Sequence, residues 1–380
     1  MKAIIVNSST NFEYRVNLIY DYLTNKGYDV TVIASDFIHT SKTKRNKAEY
    51  PYKLINTYPY KKNISVQRLY SHYRFSKDAF EEIKDTEADI LYLVIPQNSN
   101  AEIAKRYKRL HPSTKIIMDI VDMWPESLPI KGTEYFPFSL WAGVRNRNLK
   151  YADLIYTECR YYQRKLERYC GNVPMYYFPW LKKYELNKMD LESVESSTEG
   201  IELKQKFIAG RIRQDKIIRL CYLGSVNNII DMDNISDIIK SIGQFSGVEL
   251  HIIGKGERMP IFIDKAESAG AKVINHGAVY DEHEKKSIMD SCDFGINIMK
   301  DTVCVGLTMK SIDYMAAGLP MISNIPGDTH ELIEKYHMGI NAENLSEERI
   351  FEAYDRTQIR EVFGREFEAK NIGKYLGDEI

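Results

Sequence analysis

Short apolar runs separated by longer amphipathic stretches set the rhythm of this chain. The run AIIV at 3–6 is followed by helical spacing over 14–26 and a second apolar run over 28–33, closing on Asp36. That alternation predicts a βαβ opening, because a strand buried on both faces reads as an unbroken apolar run. After a basic and aromatic insertion the pattern predicts strand 64–69, helix 75–84, strand 90–95, helix 99–110 and strand 115–120. Strand 154–157, a helix to Tyr169 and strand 175–178 complete the series. The order predicts a doubly wound parallel sheet, a first domain over residues 1–180.

Over 181–215 the apolar rhythm fails, and Lys, Glu, Asp and Ser dominate around SVESSTEG. This composition marks an interdomain linker region. A second series begins with IIRLCYLGS at 217–225 and runs through strand 248–253, GKGER, strand 272–275, a helix over 282–291 and strand 294–298. Helix 307–317, strand 320–323 and a helix near 329–336 follow. The fold class expected is α/β, two Rossmann-like doubly wound parallel-sheet domains in series, the second over 216–357. Such domains bind ligands outside the carboxyl ends of their strands, here in a central cleft.

Composition narrows the function classes. With 52 basic against 53 acidic residues, nothing in the bulk charge asks for nucleic acid as a partner. The opening MKAIIVN turns polar too soon for a signal peptide, and no run reaches membrane-spanning length. Five cysteines without metal-ligand spacing read as reduced thiols in a cytoplasmic protein.

The stretch GLTMKSIDYMAAGLPMISN, residues 306–324, concentrates the chemistry. A Gly turn after an apolar strand, leading into a helix, aims free backbone N–H groups and a positive dipole end at an anion. Lys310 on that helix is placed to neutralise phosphate, and Asp313, one turn on, to accept hydrogen bonds from a ribose. On spacing alone, a surface helix with a Gly C-cap fits the same residues equally well.

The contiguous K-S-I-D-Y-M-A-A-G-L-P, with PGDTHELI at 326–333 after it, resembles the donor-binding helix of GT-B glycosyltransferases of the retaining GT4 type, which build bacterial polysaccharides. The resemblance implies that Lys310 reaches the diphosphate of a nucleotide-sugar, that Asp313 binds ribose, and that Gly306, Leu307 and Thr308 face pyrophosphate and sugar. It further implies Gly254 and Lys255 of GKGER beside the base, Tyr280 in the base-lining loop, and Gly224 and Ser225 after the first strand of the second domain. In the first domain DMWPES resembles the D-x-W-P-E-S segment of these enzymes. It places Asp122, Trp124 and Glu126 at a carboxyl strand end, where a carboxylate holds or orients the acceptor and Trp124 stacks on a sugar ring. Asp122 and Lys310 are thereby the expected catalytic pair. The final segment, 358–380, is expected as a helix crossing back to the first domain, as in relatives.

Three departures accompany the resemblance. The first loop reads NSSTNFEYR instead of being Gly-rich, leaving Ser8 to Thr10 and Arg15 to make the contacts. The family's two basic phosphate ligands are replaced by GSVNNIIDMDN at 224–234, and the first acid of its E-x7-E pair falls on Val305. DMD at 231–233 matches a D-x-D metal signature, but acids at a helix start cap the dipole. No metal or other cofactor is expected, the nucleotide-sugar being a co-substrate.

The implied reaction is transfer of a sugar, from a UDP-sugar by expectation, to a saccharide acceptor, with retention. Residues 42–62 carry seven basic side chains against Glu49 alone, with Tyr50, Tyr52, Tyr58 and Tyr60 interleaved. Together with the aromatic stretch at 134–147 they suit an anionic membrane surface and a lipid-linked acceptor at the inner face of the plasma membrane. A solvated loop suits residues 42–62 as well. Two other functions stay open: a nucleotide-sugar 2-epimerase, which needs no acceptor, and a non-catalytic binding module of the same fold.

Overall fold

The computed structural model of the protein describes residues 1–183, 217–377 and 379–380. From residue 184 onward the expected linker lies outside the described residues. The chain divides into two compact units, Met1–Leu181 with Lys370–Ile380, and Lys182–Ala369.

The first unit is built on strands β1 (Lys2–Asn7), β2 (Asp29–Ser35), β5 (Lys53–Ile55), β6 (Ile90–Ile95), β7 (Lys115–Ile120), β8 (Leu154–Thr157) and β9 (Met175–Tyr177), with a small antiparallel hairpin of β3 (Phe37–Ile38) and β4 (Thr43–Lys44) beside them. The seven lie in the order β5-β2-β1-β6-β7-β8-β9, every pairing parallel. Strand order reverses between β1 and β6, so their carboxyl ends frame the crevice typical of doubly wound sheets. All six residues of β6 are buried, as a central parallel strand covered on both faces requires.

The expected strand over 64–69 is instead the start of one helix, Val66–Ile83, N-capped by the Ser65 side chain. Ser71, His72, Phe75, Ala79, Phe80 and Ile83 are buried along one face of it, whereas Val66, Leu69 and Tyr70 are exposed. The apolar residues that suggested a strand therefore lie outside the buried face, and the helical period decides. Residues 42–62 fold back on the first unit: Arg45 pairs with Glu13, Lys44 with Asp36 and Lys53 with Glu82, while Tyr50 donates to Asp21. β5 enlists part of the insertion as the sheet edge.

The second unit is a six-stranded parallel sheet of β10 (Ile217–Leu223), β11 (Gly247–Ile253), β12 (Ala271–Gly277), β13 (Phe294–Asn297), β14 (Met321–Ser323) and β15 (Gly339–Asn341), in the order β12-β11-β10-β13-β14-β15. Here the reversal falls between β10 and β13. Ile218, Leu220, Tyr222, Leu250, Ile252, Phe294 and Ile296 form its apolar centre with the helix Met232–Gly243. Asp231 caps that helix through the Asn234 N–H, which accounts for DMD as a helix start.

The expected C-terminal helix is two pieces. The helix Arg356–Glu366 belongs to the second unit, where Arg356 donates to the carbonyl of Gly318. The short helix Ile372–Leu376 belongs to the first, with Tyr375 against Tyr177 and Phe178. No helix among the described residues is long and apolar enough to cross a membrane.

Candidate functional site

The helix Met309–Ala317 starts at the β10/β13 reversal. Thr308 caps it, its hydroxyl accepting from the Ser311 N–H at 3.1 Å, and Gly318 closes it in a left-handed conformation (φ 68°). Tyr314 anchors it: the hydroxyl donates to the carbonyl of Cys221 at 2.9 Å and accepts from the Leu223 N–H at 3.0 Å, tying the helix to the end of β10. Its ring also lies so close to Gly295 of β13 that a Cβ there would come within 2.6 Å.

One turn before Tyr314, the Lys310 ammonium donates to the Tyr222 hydroxyl at 3.0 Å and sits 4.0 Å over the same ring. The Tyr222 hydroxyl in turn donates a hydrogen bond to the carbonyl of Ser225. Desolvation alone brings the Lys310 pKa down to about 7, and among the described residues no carboxylate pairs with it. A cation held this way is under-compensated until an anion arrives. The Lys310 side chain also passes Gly224, where an added Cβ would lie 3.2 Å from its Cε.

A second helix N-terminus converges on the same place. The helix Asp328–Tyr336 begins beside Gly306, whose carbonyl accepts from both the N–H and the hydroxyl of Thr329. Thr329 meets Ser311 at 3.2 Å, and Asn297 donates to Thr308 and Ser311. Asn297, Ser311 and Thr329 are buried, so this network fixes both helix starts at the end of β13. Two positive dipole ends and an uncompensated ammonium make a site for a doubly charged anion.

Gly306, Leu307, Thr308, Lys310, Gly224 and Ser225 thus come together at one sheet edge. The Thr308 hydroxyl is engaged as cap, which leaves its backbone for a ligand. Asp313 pairs with Lys182, which also lies 3.8 Å from Glu282. Gly254 is set by close approach: a Cβ there would stand 2.0 Å from the carbonyl oxygen of Gly224, so GKG packs directly on the loop after β10. Lys255 and Tyr280 are exposed neighbours, the ammonium 5.7 Å over the ring.

Of the first-domain residues, Arg15 is fully buried. It holds Asp119 through two hydrogen bonds, at 2.7 and 2.9 Å, and donates to the carbonyls of Phe178 and Pro179. That placement gives it a structural task rather than a contact with sugar. Glu126 pairs with the buried Arg145, which also donates to the Trp124 carbonyl, so this carboxylate fixes the DMWPES loop. Asp122 has its pKa raised by burial, against the pull of a hydrogen bond from the Met123 N–H. The Trp124 ring carries the Arg68 guanidinium 3.8 Å from its centroid and stacks on His72.

Sequence reasoning passed over Tyr222, Asn297, Tyr314 and Thr329 as binding-site architecture, and Arg68 and His72 altogether. The signal for the last two was the spacing of four on a helix, hidden while 64–69, with Arg68 in it, read as a strand and the helix was started only after His72.

Residues 218–357 match the family model "Glycosyl transferases group 1". Comparison with curated protein sequences gives no match. Among solved structures, a sucrose-phosphate synthase from Thermosynechococcus elongatus superposes with a TM-score of 0.68 at 10% identity, covering 99% of this chain and 97% of that one. HepE from Anabaena in complex with UDP-glucose gives 0.59 at 11% identity, covering 100% and 98%. An E. coli protein bound with UDP-2-fluoro glucose gives 0.65 at 9% identity, covering 100% and 99%. The fold is the GT-B architecture of two Rossmann-like domains.

Proposed function

We propose that this chain is a retaining, GT4-type glycosyltransferase that moves a hexosyl group from a UDP-sugar to a saccharide acceptor. One observation carries the reading: the partner-poor Lys310 ammonium at the β10/β13 reversal, where two helix N-termini converge.

The diphosphate lies against Lys310 and the backbone of Gly306, Leu307 and Thr308, with Gly224 and Ser225 on the other side. Asp313 takes the ribose hydroxyls, exchanging its bond to Lys182 for them. Gly254, Lys255 and Tyr280 lie toward the base. UDP is favoured because two of the solved structures similar to this chain hold UDP-sugars.

In the reaction the bond from anomeric carbon to diphosphate oxygen breaks, and its electron pair leaves on the diphosphate. Fixed N–H dipoles and Lys310 stabilise that charge as it develops, in a site already organised for it. The acceptor oxygen forms the new bond, its proton passing to the leaving oxygen on the same face. Asp122 and Trp124 position the acceptor, with Glu126 holding their loop.

A lipid-linked acceptor in surface-glycan synthesis fits the exposed Tyr135, Phe136 and Leu140, which offer apolar contact to a membrane, and the exposed Lys61 and Lys62, which suit its anionic headgroups. Protein that stays unbound from anionic liposomes at low salt would refute that part.

Thermal-shift screening against UDP-, GDP-, dTDP- and ADP-sugars tests the core reading, since a ligand of the native state raises the apparent melting temperature. A UDP-sugar is expected to raise it, and Lys310→Ala to abolish the rise. Survival of binding in Lys310→Ala overturns the assignment, and an epimer formed from donor alone makes the chain an epimerase.

A further inference from the structure

The first domain has its own pocket at the carboxyl edge of its sheet. It is lined by Ser8 after β1, Gln97 after β6 and Trp124 after β7, with Arg68 and His72 from the helix Val66–Ile83. This is again the place where strand order reverses, between β1 and β6. Its walls carry more positive charge than the fold neutralises.

Arg68 is only 3% exposed. Its guanidinium carbon lies 3.8 Å from the centre of the Trp124 ring. Nε donates to His72 Nε2 at 3.3 Å and Nη1 to the Asn63 carbonyl at 2.8 Å; the Tyr60 hydroxyl also acts on the guanidinium, but Nη2 makes no well-formed hydrogen bond. Because His72 Nε2 accepts, its ring proton sits on Nδ1, which is likewise buried without a partner. Lys42 stands behind two lining residues, 4.7 Å over the Tyr60 ring and 3.4 Å from His39 Nδ1, and donates to the Asn63 side chain.

No carboxylate forms an ion pair with Arg68 among the described residues, and the carboxyl acting on it, Asp122, is pushed by burial toward its protonated form. His39 is held neutral, its pKa brought down to about 4 by burial and by Arg68 and Lys42. One buried cation, Arg68, and the unpartnered His72 Nδ1–H therefore border one small polar pocket, with Lys42 just behind its lining. Leaving them unmatched is costly, and an anion with several acceptor oxygens matches them.

We infer that this pocket binds an anionic substituent, a phosphate or a carboxylate, carried by the sugar acceptor, with Arg68 as its principal ligand and the His72 Nδ1–H and Lys42 completing the set. The inference rests on the glycosyltransferase reading for the word acceptor, but not for the anion site itself.

The test uses the whole chain. Calorimetric titration compares glucose, glucose 6-phosphate and glucuronate as probes, with inorganic phosphate as a fourth. Each charge-assisted hydrogen bond favours the charged probe by about tenfold or more, so at least one anionic sugar is expected to bind about a hundredfold more tightly than glucose. Preference for glucose 6-phosphate together with inorganic phosphate identifies phosphate; preference for glucuronate identifies carboxylate. Arg68→Gln is expected to remove about tenfold or more of the preference, and Lys42→Gln, behind the lining, a smaller share. Equal binding of glucose and its charged derivatives, or an undiminished preference in Lys42→Gln and in folded Arg68→Gln, overturns the inference. UDP-glucose binding is read in parallel. Its presence without anion preference overturns this inference alone, and anion preference without it overturns the transferase reading alone.

Discussion

At the proposed donor site, Lys310 is expected to make the affinity for a sugar donor depend on pH in a direction that its surroundings dictate. Free, its amine titrates near 7 because it is desolvated without a counter-charge. Bound to a diphosphate, it regains a counter-charge and returns toward its ordinary range. Binding at pH 8 therefore requires proton uptake. With a free pKa of about 7, the dissociation constant carries a factor of about 1.1 at pH 6 and about 11 at pH 8, a tenfold loss worth about 1.4 kcal/mol. UDP-glucose suits the assay, because its esterified diphosphate lacks the terminal phosphate that titrates near pH 6 in UDP. Calorimetry in buffers of different ionisation enthalpy should count close to one proton taken up per ligand at pH 8 and few at pH 6. The same group works in reverse on the empty protein. Its folded pKa lies below the unfolded value of 10.5, so its contribution to stability is full above that value and is lost as pH falls toward 7. Tyr222 and Tyr314, the titratable neighbours, are both pushed upward by burial and do not ionise in this window. A pH-independent dissociation constant between 6 and 8, or the same slope in Lys310→Met, would refute the reasoning.

Other substitutions test the architecture. Tyr314→Phe leaves the buried Leu223 N–H and two carbonyls short of a partner, and should lower the stability of the second domain by about 1–3 kcal/mol in urea titration; an unchanged midpoint would show the hydroxyl to be idle. Gly254→Ala drives a methyl group against the Gly224 carbonyl, where backbone must move, and should cost about 1–3 kcal/mol together with UDP-glucose affinity. If both are retained, the GKG contact does not shape the site. Asp119→Asn breaks the buried pair with Arg15 and should destabilise the first domain by about 3–5 kcal/mol, while Arg15→Met with Asp119→Leu recovers part of the loss. Full stability in Asp119→Asn, read by denaturant midpoint, would argue against a structural task for the pair.

The parallel strands were legible because each is an apolar run buried on both faces, β6 most plainly. β5 was not, because three residues at a sheet edge carry too little pattern, and neither was the first half of the helix Val66–Ile83, whose exposed face is unusually apolar; its second half was read as a helix. In the site, Lys310 was legible through local helix chemistry, whereas Thr308 came only with the family resemblance. Tyr222 and Asn297 were not legible, since each sits in a run that reads simply as core. Arg15 misled for a different reason: its partner Asp119 is 104 residues away, and nothing local distinguishes a buried ion pair from a ligand contact.

The desolvated amine of Lys310 also has a reactive side. An ordinary surface lysine is almost wholly protonated at neutral pH, whereas one titrating near 7 is an unprotonated amine in about half the molecules, and therefore a nucleophile. In the empty protein a mild acylating reagent of low charge should modify Lys310 ahead of the many other lysines. A bound nucleotide-sugar should protect it by restoring its proton as well as by covering it. The same desolvation that prepares the site for an anion gives it a covalent handle, through which occupancy can be read by mass without knowing the acceptor.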